Sequence, residues 1–285
     1  AGVMLSTIDL PKGVELRYNE KTGGFLKTLN QWKANTSKMY IWDYAANFDD
    51  YLTPVPILYG LQKQLRFYKN NGVEGVFLNA GGYDYEPFDD LKTYVSASLM
   101  IDLDLSVDSI SHEYFKQFYP VSGEILNSYY LSLEKRLEKK EKPYNIYAGF
   151  DETVRSYLDA DEFVDFYNTL DSLLHVVENE EKIRLKKMFT ALSFTRLQLA
   201  YTRGSSSLGF ADKKRKSLYL KPEIRNIYNN LMLYKNYEDM SWYKETGSLD
   251  VYINNWTNIF EKAPLSNLLI DEKIEVLSKL DEEYK

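Results

Sequence analysis

Three short runs of β-forming residues, separated by amphipathic stretches and then not repeated, constrain this chain more than any other feature. They are "GVELRYNE", "KMYIWDYA" and "VEGVFLNAGG", rich in β-branched and aromatic residues and bounded by Gly or Asn punctuation. Between the first two, "TGGFLKTLNQWKANTSK" places Phe25, Leu26, Leu29 and Trp32 on one helical face. Between the second and third, Leu58, Leu61, Leu65 and Tyr68 form a stripe that starts after Pro54 and Pro56 and stops at Asn71-Gly72. Alternating strand and helix with short connections predict parallel β/α units, with strands near residues 14–19, 39–43 and 73–78. Three strands do not close a barrel.

From Phe88 the strand signal fades. "FDDLKTYVSASLMID" has helical periodicity, and a following helix turns Tyr114, Phe115 and Phe118 inward behind a cap at Asp108 or Ser109. Two further helices meet near Asn179, the second ending at Gly204, and another opens at Pro222. Near the C-terminus, "KIEVLSKL" fits an edge strand or a short amphipathic helix.

Charge and cysteine usage narrow the chemistry. A net charge of −7 argues against nucleic acid or an anionic membrane surface as the main partner, since both reward a basic face. No run of 18 apolar residues exists, so no membrane span is expected. "AGVMLSTIDLPKG" lacks the basic and apolar regions of a signal peptide, so an export signal, if the protein has one, lies outside this chain. With no Cys there is no thiol nucleophile and no thiolate metal site. The 25 Tyr suit either a Tyr-rich core or a surface that stacks on polyols while hydrogen-bonding them.

Paired carboxylates are the one plausible catalytic equipment. His112 and His175 sit apart in helical patterns, and no serine elbow, P-loop, dinucleotide fingerprint or zinc motif occurs, so neither cofactor nor metal is expected. "DLDLSVD", Asp102 to Asp108, spaces acids like a fragment of a calcium loop but lacks its glycine and distal Glu; helix capping fits it better. The strand ends hold the remaining candidates: Tyr18, Asn19 and Glu20, then Trp42, Asp43, Tyr44 and Asn47, then Asn79. In a barrel such positions face the active site. Asp43 is the first choice for a catalytic carboxylate and Glu20 the second, because glycoside hydrolysis needs two. Trp42, Tyr44, Asn47, Asn79 and the loop aromatics Tyr83 and Tyr85 are the substrate-binding set. The alternative for Asp43 is a carboxylate capping the turn that follows. Alternation sends Ile41 and Asp43 to one side and Trp42 and Tyr44 to the other. If Asp43 faces the mouth, Trp42 falls into the helix-side core.

A resemblance adds to these readings. The W-D-Y at a strand end, P-x-P before a helix, G-V-x-G-V-F, and L-x-x-Y-V-x-A-x-L-M entering the helices span about residues 14–135. They resemble the bacterial family called domain of unknown function 4838, found in surface and secreted proteins of Bacteroidetes and similar to α-glucuronidase-like glycoside hydrolases. The resemblance implies an α/β plus α fold. Residues 1–86 would be the last units of a partial (β/α)8 barrel, 87–265 an α-helical domain, and 266–285 a linker or the start of a β-sandwich. It implies a secreted, periplasmic or cell-surface carbohydrate-active protein whose barrel is completed by a missing segment or a partner chain. Family members often carry an acid where this chain has Asn79. The competing expectation is a non-catalytic glycan-binding or structural helical module.

Overall fold

A computed structural model describes residues 2–16, 20–214 and 217–261 of the chain. Its sheet is built from β1 (Gly2–Ser6), β2 (Lys38–Tyr44) and β3 (Gly75–Asn79), in that spatial order and parallel throughout. Helix α1 (Glu20–Lys33) joins the first pair and α2 (Leu58–Asn70) the second, the parallel β/α arrangement expected from the alternation. The second and third strands fall where expected. The first does not: it is "GVMLS", and residues 13–16 are irregular. That segment packs on α2 instead, where Gln64 donates to the carbonyls of Pro11 (2.8 Å) and Val14 (3.5 Å) and the Gly13 backbone abuts Gly60. Between those two carbonyls, Lys12 O accepts from Tyr144 N (2.9 Å) in an isolated antiparallel bridge, so the segment's bonds go elsewhere than to the main sheet.

Helices cover one face of the sheet. Met39, Ile41 and Asp43 are buried on the helix side, where Asp43 meets Tyr68 of α2, while Met4, Trp42 and Phe77 remain 48%, 39% and 46% exposed on the other face. Lys33 at the end of α1 donates to the carbonyl of Asn71 at the end of α2, so the two helices lie side by side. Asp43 therefore turns towards the helices and Trp42 towards the open face, the reverse of an arrangement with Asp43 at a barrel mouth. The apolar pair Met39 and Ile41 sets this parity, because a one-residue slip would expose both. On α1 only Leu29 of the expected stripe is fully buried, and Trp32 stays 46% exposed.

The rest of the described chain is mainly helical: α3 (Asp89–Ile101), α4 (Val107–Phe118), α5 (Gly123–Lys140), α6 (Phe150–Ser156), α7 (Ala160–Leu173), α8 (Asn179–Arg203), α9 (Pro222–Leu231) and α10 (Leu249–Glu261). Two small antiparallel hairpins interrupt it, β4 (Ala211–Lys214) with β5 (Ser217–Leu220), and β6 (Trp242–Lys244) with β7 (Gly247–Ser248). Ser106 caps α4 by accepting from Ser109 N, in place of Asp108 or Ser109. Helix α8 begins at Asn179 and ends before Gly204, and Pro222 opens α9, as the sequence predicts. Among the described residues the main sheet stops at three strands and does not close. "KIEVLSKL" lies outside the described residues.

One apolar cluster runs from Leu10 to Phe260. The loop after β2 stitches it together: Phe48 N donates to Ile146 O, Tyr51 N to Tyr243 O, and Glu245 N to Phe48 O, at 2.7–2.8 Å. Residues 50–57 of that loop are buried, so these bonds supply backbone partners that water does not.

Candidate functional site

Asp43 is 1% exposed and all of its bonds are internal. Its Oδ1 accepts from the Lys12 ammonium, Thr7 Oγ1 (2.7 Å) and its neighbour's amide, Tyr44 N (2.9 Å), and its Oδ2 accepts from the Tyr68 hydroxyl (2.9 Å). Lys12, itself 4% exposed, also donates to Thr7 O and Thr7 Oγ1 at 2.8 Å each. Burial lowers the Lys12 pKa and the Asp43 charge works against that fall. Burial, then Asp43, raises the Tyr68 phenol well above its ordinary value. The group fastens the segment before α1 to β2 and α2.

This use of acids is general in the molecule. The buried carboxylates among the described residues are Asp43, Asp50, Glu86, Glu134 and Glu181, and each accepts at least one backbone N–H. Glu134 on α5 takes the first two amides of α2, Leu58 N (2.7 Å) and Tyr59 N (3.1 Å). Glu181 on α8 takes Val121 N and Ser122 N ahead of α5. These acids satisfy the orphan donors of helix starts and turns from distant elements. Glu86 also pairs with buried Lys92.

The other sequence candidates fall into two groups. Register brings Ser6, Trp42 and Phe77 into line on the open face, with Tyr44 and Asn79 aligned beyond them at the C-terminal end. Trp42 meets Phe77 edge-on with ring centroids 4.8 Å apart, and Tyr44 OH lies 3.0 Å from Ser6 Oγ. Tyr44 also packs edge-on against Phe48 (5.9 Å), which contacts Tyr147 (5.8 Å), extending the aromatic strip past the strand ends. The remaining candidates lie apart from this strip. Glu20 is exposed at the start of α1, and Tyr18 and Asn19 lie outside the described residues. Asn47 is buried, its amide donating to Ala148 O (2.8 Å) and its carbonyl accepting from Asp49 N (3.1 Å), a local turn that aims Asp49 outward. Tyr83 is 96% exposed, and Tyr85 lies under the Lys187 ammonium, 4.4 Å from ring centre to nitrogen.

A separate cavity of about 540 Å³ opens where the β2–α2 loop meets the helices. Asp49, Asp151, Gln198, Tyr243, Asn255 and Trp256 are among its walls. The sequence reading missed it. Asp49 directly follows the aromatic motif at the end of β2, while the α10 contribution, at helical spacing, is indistinguishable from a core stripe until the fold is known.

No helix among the described residues is long and apolar enough to cross a membrane, and no group of three or more His, Asp or Glu there is placed to hold a metal ion. No curated protein and no solved structure matches the chain. Residues 2–131 match the model of a family described as "Domain of unknown function (DUF4838)", a stretch that holds the whole parallel sheet, the Lys12–Asp43 pair and the aromatic strip as far as Phe48. The match covers 130 of the 285 residues, and over that stretch the chain is similar to that family.

Proposed function

We propose that this chain is a glycan-binding region of an exported or surface protein, with the open sheet face as its sugar platform. The observation that carries the reading is the alignment of Ser6, Trp42, Phe77, Tyr44 and Asn79 at the C-terminal ends of parallel strands. Parallel α/β folds bind ligands at that end. Trp and Tyr rings cover the apolar face of a pyranose, and the Tyr44 hydroxyl and the Asn79 amide answer its hydroxyls. Consecutive strands added in one direction, with both helices on one side, have the local geometry of a barrel segment. The open face would then line the barrel interior, and further strands from a neighbouring segment or partner chain would complete it.

Binding is favoured over hydrolysis by Asp43. It is 1% exposed and its oxygens are taken by four internal hydrogen bonds, which leaves it out of reach of a substrate, and Glu20 stands exposed at a helix start. The test is affinity electrophoresis of the chain against a panel of plant and animal polysaccharides, comparing the parent with Trp42→Ala. Retardation by at least one polysaccharide, lost in the variant, is expected. Equal retardation of parent and variant, or none by any polysaccharide, overturns the reading.

A further inference from the structure

We infer that the 540 Å³ cavity is a second saccharide site, separate from the sheet face, selecting a neutral or amine-bearing sugar of one or two rings over a uronic acid. Three observations converge on it. The first is Gln198. From Met188 to Ala200 every residue of α8 is buried except this one, and it opens onto the cavity. A lone polar side chain surfacing from a sealed helix has its free hydrogen-bonding capacity directed at whatever fills that space.

The second observation is the α10 face. Tyr252, Asn255, Trp256 and Ile259 stand at i, i+3, i+4 and i+7, so one stripe of the helix lines the cavity. Tyr252 and Tyr243 are held against Phe194 of α8 at 4.5 Å and 5.2 Å, and Trp256 packs against Phe260 and Phe210. These walls are fixed before any ligand arrives, which limits the ordering cost of binding. The volume lies within the range of small-molecule sites.

The third is the polar complement. Asp49 and Asp151 supply acceptors, Gln198 supplies both donors and an acceptor, and Lys244 is the one cation among the described lining residues. Aromatic walls with carboxylates and amides between them match a ring that is apolar on its faces and hydroxylated around its edge. Two carboxylates against one ammonium leave the wall net negative, which attracts an amine and repels a sugar carboxylate. Buried Asp50 stands behind Asp49 and adds to that sign when ionised.

The site is independent of the sheet-face reading, and calorimetry on the full chain separates the two. Cellobiose, glucosamine and glucuronate are titrated at matched ionic strength into the parent, Asp49→Asn/Asp151→Asn and Trp42→Ala. Cellobiose or glucosamine is expected to bind the parent at least about tenfold more tightly than glucuronate. The double variant, altered only at exposed rim positions, is expected to lose that preference, and Trp42→Ala to keep it. Lys244→Ala, a second rim change, is expected to weaken glucuronate further. No binding by cellobiose or glucosamine, no discrimination against glucuronate, or binding lost with Trp42 and kept in the double variant each overturns the cavity assignment. The last result would instead locate the sugar on the sheet face.

Discussion

Lys12 and Asp43, 31 residues apart, form an ion pair that is 4% and 1% exposed at its two ends. A buried pair of this kind is costly to break from one side, because the survivor keeps its charge without a partner. Lys12→Met is expected to lower the unfolding free energy by about 3–5 kcal/mol. Asp43→Asn keeps Tyr68 and Thr7 partly satisfied and should cost less than Lys12→Met. The double variant Lys12→Met/Asp43→Asn should recover part of the loss, since no lone charge remains. Urea denaturation of the four proteins gives the coupling. Additive single effects would show that the two groups do not act as a unit.

Two buried acids make stability depend on pH, with the sign set by their raised pKa values. Burial pushes Asp50 up to about 7, against the hydrogen bonds from Thr53, and pushes Glu134 up to about 7, against those from the α2 amides. Unfolded, both titrate near about 4. Between those values the folded chain holds more protons than the unfolded one, so stability falls as pH rises from about 4 to about 7. The Asn and Gln variants should then diverge. Asp50 Oδ2 has no hydrogen-bond partner while Oδ1 serves Thr53 N, so Asn keeps that bond and removes a buried charge, which outweighs the unpartnered NH₂ it leaves. Asp50→Asn is expected to stabilise by about 1–2 kcal/mol at pH 8. Glu134 uses both oxygens, so Glu134→Gln sets an amide NH₂ against a backbone N–H and should cost about 1–2 kcal/mol at pH 8. Thermal melts at pH 5 and pH 8 check both. A variant pair that moves in the same direction would contradict the assignment.

What could be read from the sequence follows from how local each signal is. The α2 stripe of Leu58, Leu61, Leu65 and Tyr68 is buried as read, because one helix face and one sheet decide it. Strands β2 and β3 were legible for the same reason. The first strand was misplaced because "GVELRYNE" carries β-formers, while its position against Gly60 and Gln64 depends on α2, some 50 residues away. The Asp43 environment was legible only as a choice between a site and a cap. Strand alternation correctly separated it from Trp42, but which face the helices cover is a tertiary fact. Nothing in the sequence singles out Gln198. Its meaning needs α10 and the β2–α2 loop in place.

Gly60 sits inside α2, where replacing glycine by alanine ordinarily gains close to 1 kcal/mol of helix propensity. Here a Cβ would stand 2.3 Å from Gly13 Cα and 2.5 Å from Gly13 C, and that neighbour is backbone at φ +72°, which no side-chain rotation relieves. Gly60→Ala is expected to destabilise by about 2–4 kcal/mol, the overpacking cost exceeding the propensity gain. Gly24, in the interior of α1 with nothing within 4 Å of its Cβ position, is the internal control, and Gly24→Ala should stabilise slightly. Equilibrium unfolding of both variants measures the difference. A stabilised Gly60→Ala would mean that the 11–16 segment does not rest on α2.

Trp42 and Phe77 share an aromatic contact that nothing covers. Together with Met4 they form an apolar line across all three strands, in register with one another or one step away. Parallel sheets are normally covered on both faces, so such a line is a surface awaiting a partner, whether sugar rings, further strands or another copy. Because Trp42 retains 39% of its exposure, it contributes less to stability than a core residue, and Trp42→Ala should cost about 1 kcal/mol or less. Phe77→Ser should behave similarly. The effect on association should be larger. The parent is expected to bind a hydrophobic dye and to self-associate as concentration rises, and the Trp42→Ala/Phe77→Ser variant to do both less while melting at nearly the parent temperature. Sedimentation velocity over a hundredfold concentration range reads the first property and calorimetry the second. If the double variant lost several kcal/mol, these side chains would be core, and the face would already be closed by the protein's own chain.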